Sequence, residues 1–269
     1  MLELEHGFRV VDVHAQLEPE GGQRPQESFG TPDRLEREMH QAGIVRAVVF
    51  PGPRTGSYLK ANNAVARMSV GRPFVAIARV NGARDPGDGA SARLRNLTAS
   101  REDHHTSPAD VEDYAYDDRF VGFRLHPVRD GLPDEAVLEE LQAVDLPVLV
   151  HAGEGFAPAR LAEHVLEYDF PTVVSHFGGY PLHREYMHDA VDLLDSFDTC
   201  YLDTSFVRFR DPLERAIIEH PDRVCFGSGA PACHPNVAIM EILTLDVPED
   251  AMRKVFSKNP ARVVEELGP

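Results

Sequence analysis

The chain has 269 residues, 42% of them hydrophobic, and its 44 acidic against 27 basic side chains give a formal net charge of −17. That length supports a single large core, and the acidic balance argues against nucleic acid or an anionic membrane as partner, since both are held by basic patches. No apolar run approaches the roughly 20 residues that cross a bilayer, and the stretch Met1–Gly7 is acidic, unlike a signal peptide, so the expected compartment is the cytoplasm.

Taken in chain order, eight short apolar runs predict strands: Phe8–Val13, Ala47–Phe50, Phe74–Val80, Val121–Leu125, Val148–Val150, Thr172–Ser175, Thr199–Leu202 and Arg223–Phe226. Short continuous apolar runs suit strands covered on both faces, as parallel strands are. Helical patterns fall between them. Thr31 with Pro32 predicts an N-cap and first helical position, and Gly43 the stop of that helix. Ser57–Val70, Pro133–Val144, Ala157–Tyr168, Pro181–Ser196 and Pro212–His220 read likewise, and Pro248–Leu267 reads as two helices broken at Asn259-Pro260 that pack outside. Eight alternations in one chain predict a single-domain (β/α)8 TIM barrel, class α/β, over residues 1–269. The rival, a doubly wound sheet, carries a glycine-rich phosphate turn after its first strand, and here Val13 leads into His14-Ala15-Gln16 instead. Residues 83–118 break the rhythm and read as a loop-rich insertion, with a helix near Ala90–Ala99 and a solvated pair, His104 and His105.

Four histidines stand at strand ends: His14, His126, His151 and His176. A parallel barrel gathers those ends into one mouth, where chemistry is done. Residues two apart face one side of a strand, so Asp12, His14 and Gln16 are expected to point into the lumen. Imidazoles grouped there suit one divalent metal such as zinc, manganese or iron. Arg124, two residues before His126, either binds a substrate carboxylate or pairs with Asp12.

The motifs Val11-Asp12-Val13-His14, Ala76–Asn81, Val121–Pro127, Pro147–Glu154, Ser175–Gly179, Leu202–Ser205, Phe226-Gly227-Ser228 and Lys258–Arg262 occur in the order found in the amidohydrolase superfamily. The chain resembles its amidohydrolase-related branch, which also holds small-acid decarboxylases and lactonases. The resemblance implies that His14, His151 and His176 are metal ligands, with His176 alternatively polarising substrate or water. It also places Gln16 where the family has a second histidine, and Gly229 where it has a metal-binding aspartate that takes the proton from the attacking water. The implied function is a metal-dependent hydrolase, holding one divalent ion, zinc by expectation, and acting on a small anionic cyclic or aromatic substrate. The alternatives are a non-oxidative decarboxylase or lactonase, or an inactive ligand-binding relative. Catalytic roles are expected for His176, Glu154 and His126, with His183 and His234 as further bases, and substrate contacts for Arg124 and Asp203, the latter equally a structural acceptor.

The three cysteines are odd in number and lack CxxC spacing, so reduced thiols are expected. Only Lys60, Lys254 and Lys258 are lysines; acid excess with scarce lysine fits a halophilic, acidic proteome, an ordinary acidic protein being the plainer reading. The partner expected is a small molecule, and a homodimer is the default assembly.

Overall fold

The computed structural model describes residues 5–18, 30–52 and 57–269; Met1–Leu4, part of the acidic N-terminal stretch, lie outside them. Strands β1 (Val10–Leu17), β2 (Ile44–Pro51), β3 (Phe74–Val80), β4 (Phe120–Leu125), β5 (Val148–Gly153), β6 (Thr172–Tyr180), β7 (Cys200–Asp203) and β8 (Val224–Cys225) lie side by side in chain order. Every neighbouring pair is parallel. The ring closes just beyond the short β8, where Val13 N donates to Phe226 O (3.0 Å), Gly229 N to His14 O (3.0 Å) and Gln16 N to Ala230 O (2.8 Å). The architecture is the expected (β/α)8 barrel.

Two layers of apolar side chains hold it. One cluster takes Val11, Val13, Val48, Phe50, Ile77, Val121, Leu149, Val173 and Cys225 from the strands, and no residue from the helices between them. It fills the lumen. The larger cluster joins the other strand faces to the helices, for example Val49, Leu125 and Val174 to Leu35, Leu141 and Val191. Burial on both faces explains why the strands read as unbroken apolar runs.

The helices are α1 (Pro32–Gln41), α2 (Tyr58–Ser69), α3 (Ala90–Thr98), α4 (Pro108–Ala115), the single turn α5 (Pro127–Asp130), α6 (Glu135–Val144), α7 (Pro158–Leu161), α8 (Arg184–Leu193), α9 (Arg210–Glu219), α10 (Pro235–Leu243), α11 (Glu249–Arg253) and α12 (Asn259–Val263). Thr31 occupies the N-cap of α1, but its hydroxyl makes no capping bond. The 83–118 segment is more ordered than a loop: besides α3 it holds α4, started by a reciprocal capping box between Ser107 and Asp110. No disulfide forms; Cys200, Cys225 and Cys233 are free and buried. No helix among the described residues is long and apolar enough to cross a membrane.

The C-terminal segment departs from expectation. Asn259-Pro260 does not break it, because a π-helical turn (Lys254–Lys258) carries the chain directly from α11 into α12, and the Val255 carbonyl that the proline cannot serve accepts from Phe226 N instead, at 2.9 Å. Nor does all of it pack outside: Val263, Val264 and Leu267 join the lumen cluster, while the Arg9 guanidinium, just before β1, donates to Leu267 O at 2.8 Å. These residues plug the barrel from the end where strands begin. Leu267→Ala is therefore expected to cost about 2–5 kcal/mol, the usual penalty for emptying a buried leucine site, measured as a lower urea midpoint with an unchanged slope.

Candidate active site

At the opposite end of the lumen, β1 slips register against β2 between Asp12 and Ala15. A bulge of this kind re-aims side chains. Val11 and Val13 lie in the lumen cluster, and the His14 ring also turns in, edge-on to Phe50 at 5.1 Å and 4.8 Å from the His176 ring. Asp12 does not extend toward the mouth. Its carboxyl accepts from His14 N (2.8 Å), Ser228 N (2.9 Å) and the Ser228 hydroxyl, tying β1 to the chain after β8. Burial pushes Asp12 up to about 7 despite those bonds.

His176 is not at the end of a strand but inside β6, and it and Phe177 have positive φ, 60° and 51°. Its backbone N donates to Asp203 Oδ1 (3.0 Å), and Ser205 N donates to the same oxygen (2.9 Å). The other oxygen, Oδ2, accepts from His14 Nδ1 at 2.7 Å. Burial raises the Asp203 carboxyl, but the neighbouring His14 and His176 and the bonds from His14 and Ser205 outweigh it and hold it well below the usual range. The Ser205 hydroxyl donates to Asp203, so its oxygen accepts from His176 Nδ1, 2.7 Å away. Both rings thus spend an Nδ1–H on this buried network and keep Nε2 as a bare lone pair. His14 Nε2 is buried with no partner among the described residues.

His151, from β5, and His126, which follows β4, stack face to face at 3.9 Å and 13°. The His151 ring also meets His176 at 5.0 Å. Burial first, then neighbouring rings and Arg124, drives His151 and His176 far below the imidazole range. Burial likewise lowers His126 to about 3, with Arg124 and Arg129 adding to it. Arg124 is buried under the rings, donating to Ser175 Oγ (3.0 Å) and Leu149 O (3.3 Å), with its guanidinium 4.7 Å over Phe50. Burial lowers it to about 10, which still leaves it charged.

These groups open into a cavity of about 730 Å³ lined by Gln16, Phe50, Arg124, His126, His151, Glu154, His176, Tyr180 and Phe206, among others. His126, His151, His176, Arg124 and Glu154 thus meet as the sequence suggested, with Glu154 exposed at the rim. Arg79, which no expectation singled out, also lines the cavity; it pairs with Asp130 at 2.5 Å while its Nε and second guanidinium nitrogen are buried without partners among the described residues.

Other expectations are corrected. Asp203 does not line the cavity; it is fully buried behind His14 and His176 and acts as their acceptor rather than a substrate contact. Arg124 does not pair with Asp12, whose oxygens are taken by Ser228 and the backbone. His183 and His234 serve as N-caps, each accepting a backbone N–H of α8 or α10 on Nδ1, and neither lines the cavity.

At Gly229, where the resemblance implies an aspartate, the present arrangement leaves no room for a side chain. The glycine's φ is +70°, and a Cβ there would stand 2.6 Å from Cε2 of the Phe206 ring. Gly229→Asp alone is accordingly expected to destabilise the fold by about 1–3 kcal/mol, from left-handed strain and overpacking, without gaining affinity for Mn2+ in a chelator competition. Combining it with Phe206→Ala should recover part of the loss and create that affinity.

A divalent ion fits the residues present. Ligand-capable atoms of His14, His176 and Asp203 all lie within 4.8 Å of one another, fully buried, and the orphaned Nε2 of His14, backed by a carboxylate on Nδ1, has the arrangement of metal-binding histidines. His151, expected as a third ligand, is outside this group and stands toward His126 instead.

Comparison with known proteins gives the fold independently. A search of curated proteins finds no match to the chain. Among solved structures it is similar to 5-carboxyvanillate decarboxylase from Sphingomonas paucimobilis (16% identity, TM-score 0.66, covering 96% of this chain and 99% of that one). It is also similar to a manganese-bound dihydroxybenzoic acid decarboxylase from Polaromonas (18%, 0.65, 95% and 96%) and to a probable 2-pyrone-4,6-dicarboxylic acid hydrolase from Acinetobacter baumannii (15%, 0.60, 95% and 99%). The family model described as amidohydrolase matches residues 11–265. With nearly the whole chain matched and the histidines gathered at the mouth of its barrel, the protein belongs to the amidohydrolase family.

Proposed function

We propose that this protein is an enzyme that removes a carboxyl group, without oxidation, from a small planar ring. The observation that carries the reading is a cavity with a buried cation, Arg124, and unprotonated imidazoles, but no carboxylate where β8 ends, because Gly229 and the Phe206 ring occupy that place. Hydrolysis depends on a base to activate water, a contribution on the order of 10²–10⁴ in rate. Decarboxylation has no such step: the ring-to-carboxyl bond breaks, its electron pair stays on the ring carbon, CO2 leaves, and that carbon takes a proton. His14 and His176 would hold zinc, manganese or iron through their free Nε2 atoms, with Asp203 fixing the rings from behind; when bound, such an ion supplies positive charge against substrate oxygens. Arg124 orients the carboxylate. His151, stacked on His126, faces the cavity; an anionic substrate beside it raises its proton affinity, so that it can carry the proton to the ring carbon. The likeness to two aromatic-acid decarboxylases supports the reading.

Hydrolysis is the second reading, favoured by Glu154, a rim carboxylate that can serve as base, and by the likeness to a pyrone dicarboxylic acid hydrolase. The two are separated by supplying carboxyl-labelled hydroxybenzoates and, in parallel, lactones and esters to protein purified without chelators. Labelled CO2, lost in His176→Ala and on metal removal, is the expected result. Ring opening of lactones with no CO2 would move the assignment to hydrolysis, and turnover of neither class, with no bound metal, defeats both.

A further inference from the structure

Phe206 stands in the loop after β7 at φ +58°, a conformation that residues with side chains rarely adopt. Strain of this kind persists where the surroundings hold it, commonly at functional sites. Here the ring lines the cavity, with its centroid 5.2 Å from His176 and 6.3 Å from Tyr180, the latter edge-on at 84°. Its other side is backed by Gly229, where any Cβ would collide with the ring. Phe206 and Gly229 therefore form a matched pair: a strained aromatic reaching into the mouth and a residue without a side chain that makes room for it. Phe50, which also lines the cavity, sits beneath the Arg124 guanidinium at 4.7 Å, so an aromatic surface lies beside the cation.

We infer that Phe206 is the specificity-determining face of the site, against which the ring of a planar carboxylate lies while its carboxylate meets Arg124. The inference rests on the decarboxylase reading only for the location of substrate. A flat π face gains stacking against an aromatic ring that a puckered saturated ring of similar size does not.

The probes are 2-hydroxybenzoate and cyclohexanecarboxylate, titrated calorimetrically into the protein purified without chelators. Wild type is expected to bind the aromatic acid about fivefold more tightly than the saturated one, in line with the worth of one aromatic pair. Phe206→Leu, which keeps an apolar group at the same backbone position, is expected to bring the two within about twofold by weakening only the aromatic acid. Phe206→Tyr should restore the preference, which a purely space-filling role would not require. Equal affinities in wild type, or a preference that survives Phe206→Leu, overturn the inference and leave the reaction assignment standing. If wild type binds neither acid, both fall.

Discussion

Asp203→Asn is expected to weaken the fold by about 3–5 kcal/mol, the penalty typical of removing one member of a buried charged group, and to release any metal held by His14 and His176. The carboxylate accepts from His14 Nδ1, the backbone N–H groups of His176 and Ser205, and the Ser205 hydroxyl. An amide has one accepting end. Its NH2 would face either the His14 N–H or the Ser205 cluster, leaving donors unpaired where no water reaches, since all four residues are buried. The substitution also removes the negative charge that offsets Arg124. Urea unfolding gives the stability change and metal analysis of the purified variant gives the other arm. A variant as stable and as metal-loaded as wild type would show that the network is incidental.

Mild acid is expected to unfold the protein, with stability falling by about 3 kcal/mol per pH unit below about pH 6.5. His14, His126, His151 and His176 are neutral in the fold and titrate below their unfolded values, burial being the first cause for each. Below about 6.5 the unfolded chain binds protons that the native state refuses, so each imidazole contributes stability above that pH and loses about 1.4 kcal/mol per unit below it. Asp12 and Glu241 act oppositely. Burial raises both carboxyls to about 7, so their contribution is lost as pH rises through that value and returns on acidification, offsetting about two of the four histidines. Since whole domains are stable by about 5–15 kcal/mol, two pH units are enough to threaten the native state. Urea midpoints at pH 7.5, 6.5 and 5.5 measure the slope, and His126→Gln should flatten it by about 1.4 kcal/mol per unit. A flat profile in wild type would mean that the rings are hydrated and protonated in the native protein.

How much was legible follows from what each feature depends on. The strands β3 and β4 were readable almost to the residue because burial on both faces leaves a continuous apolar run. The ends of β1 and β6 were not, since both continue past their apolar runs through His14 and His176, whose pairing is made by backbone bonds across the ring. The start of α4 was in the sequence all along, as Ser107-Pro108 followed by Asp110, a capping signature that the surrounding charge obscured. Pro260 misled because a π-helical turn lets a helix continue into a proline, and nothing local announces that turn.

The sequence alone determined the barrel, the family and the convergence of His14, His126, His151 and His176, because continuous apolar runs and the histidines that follow them are local properties that topology merely assembles. The tertiary structure decided which of them share a ligand group, that Asp203 works from behind the site rather than within the cavity, and that the Phe206 ring lies against Gly229. Those outcomes depend on contacts between residues distant in the chain, β1 with β7 and the loop after β7 with the chain after β8, where a bulge or a single positive φ redirects a side chain, and no one-dimensional pattern records such a rotation.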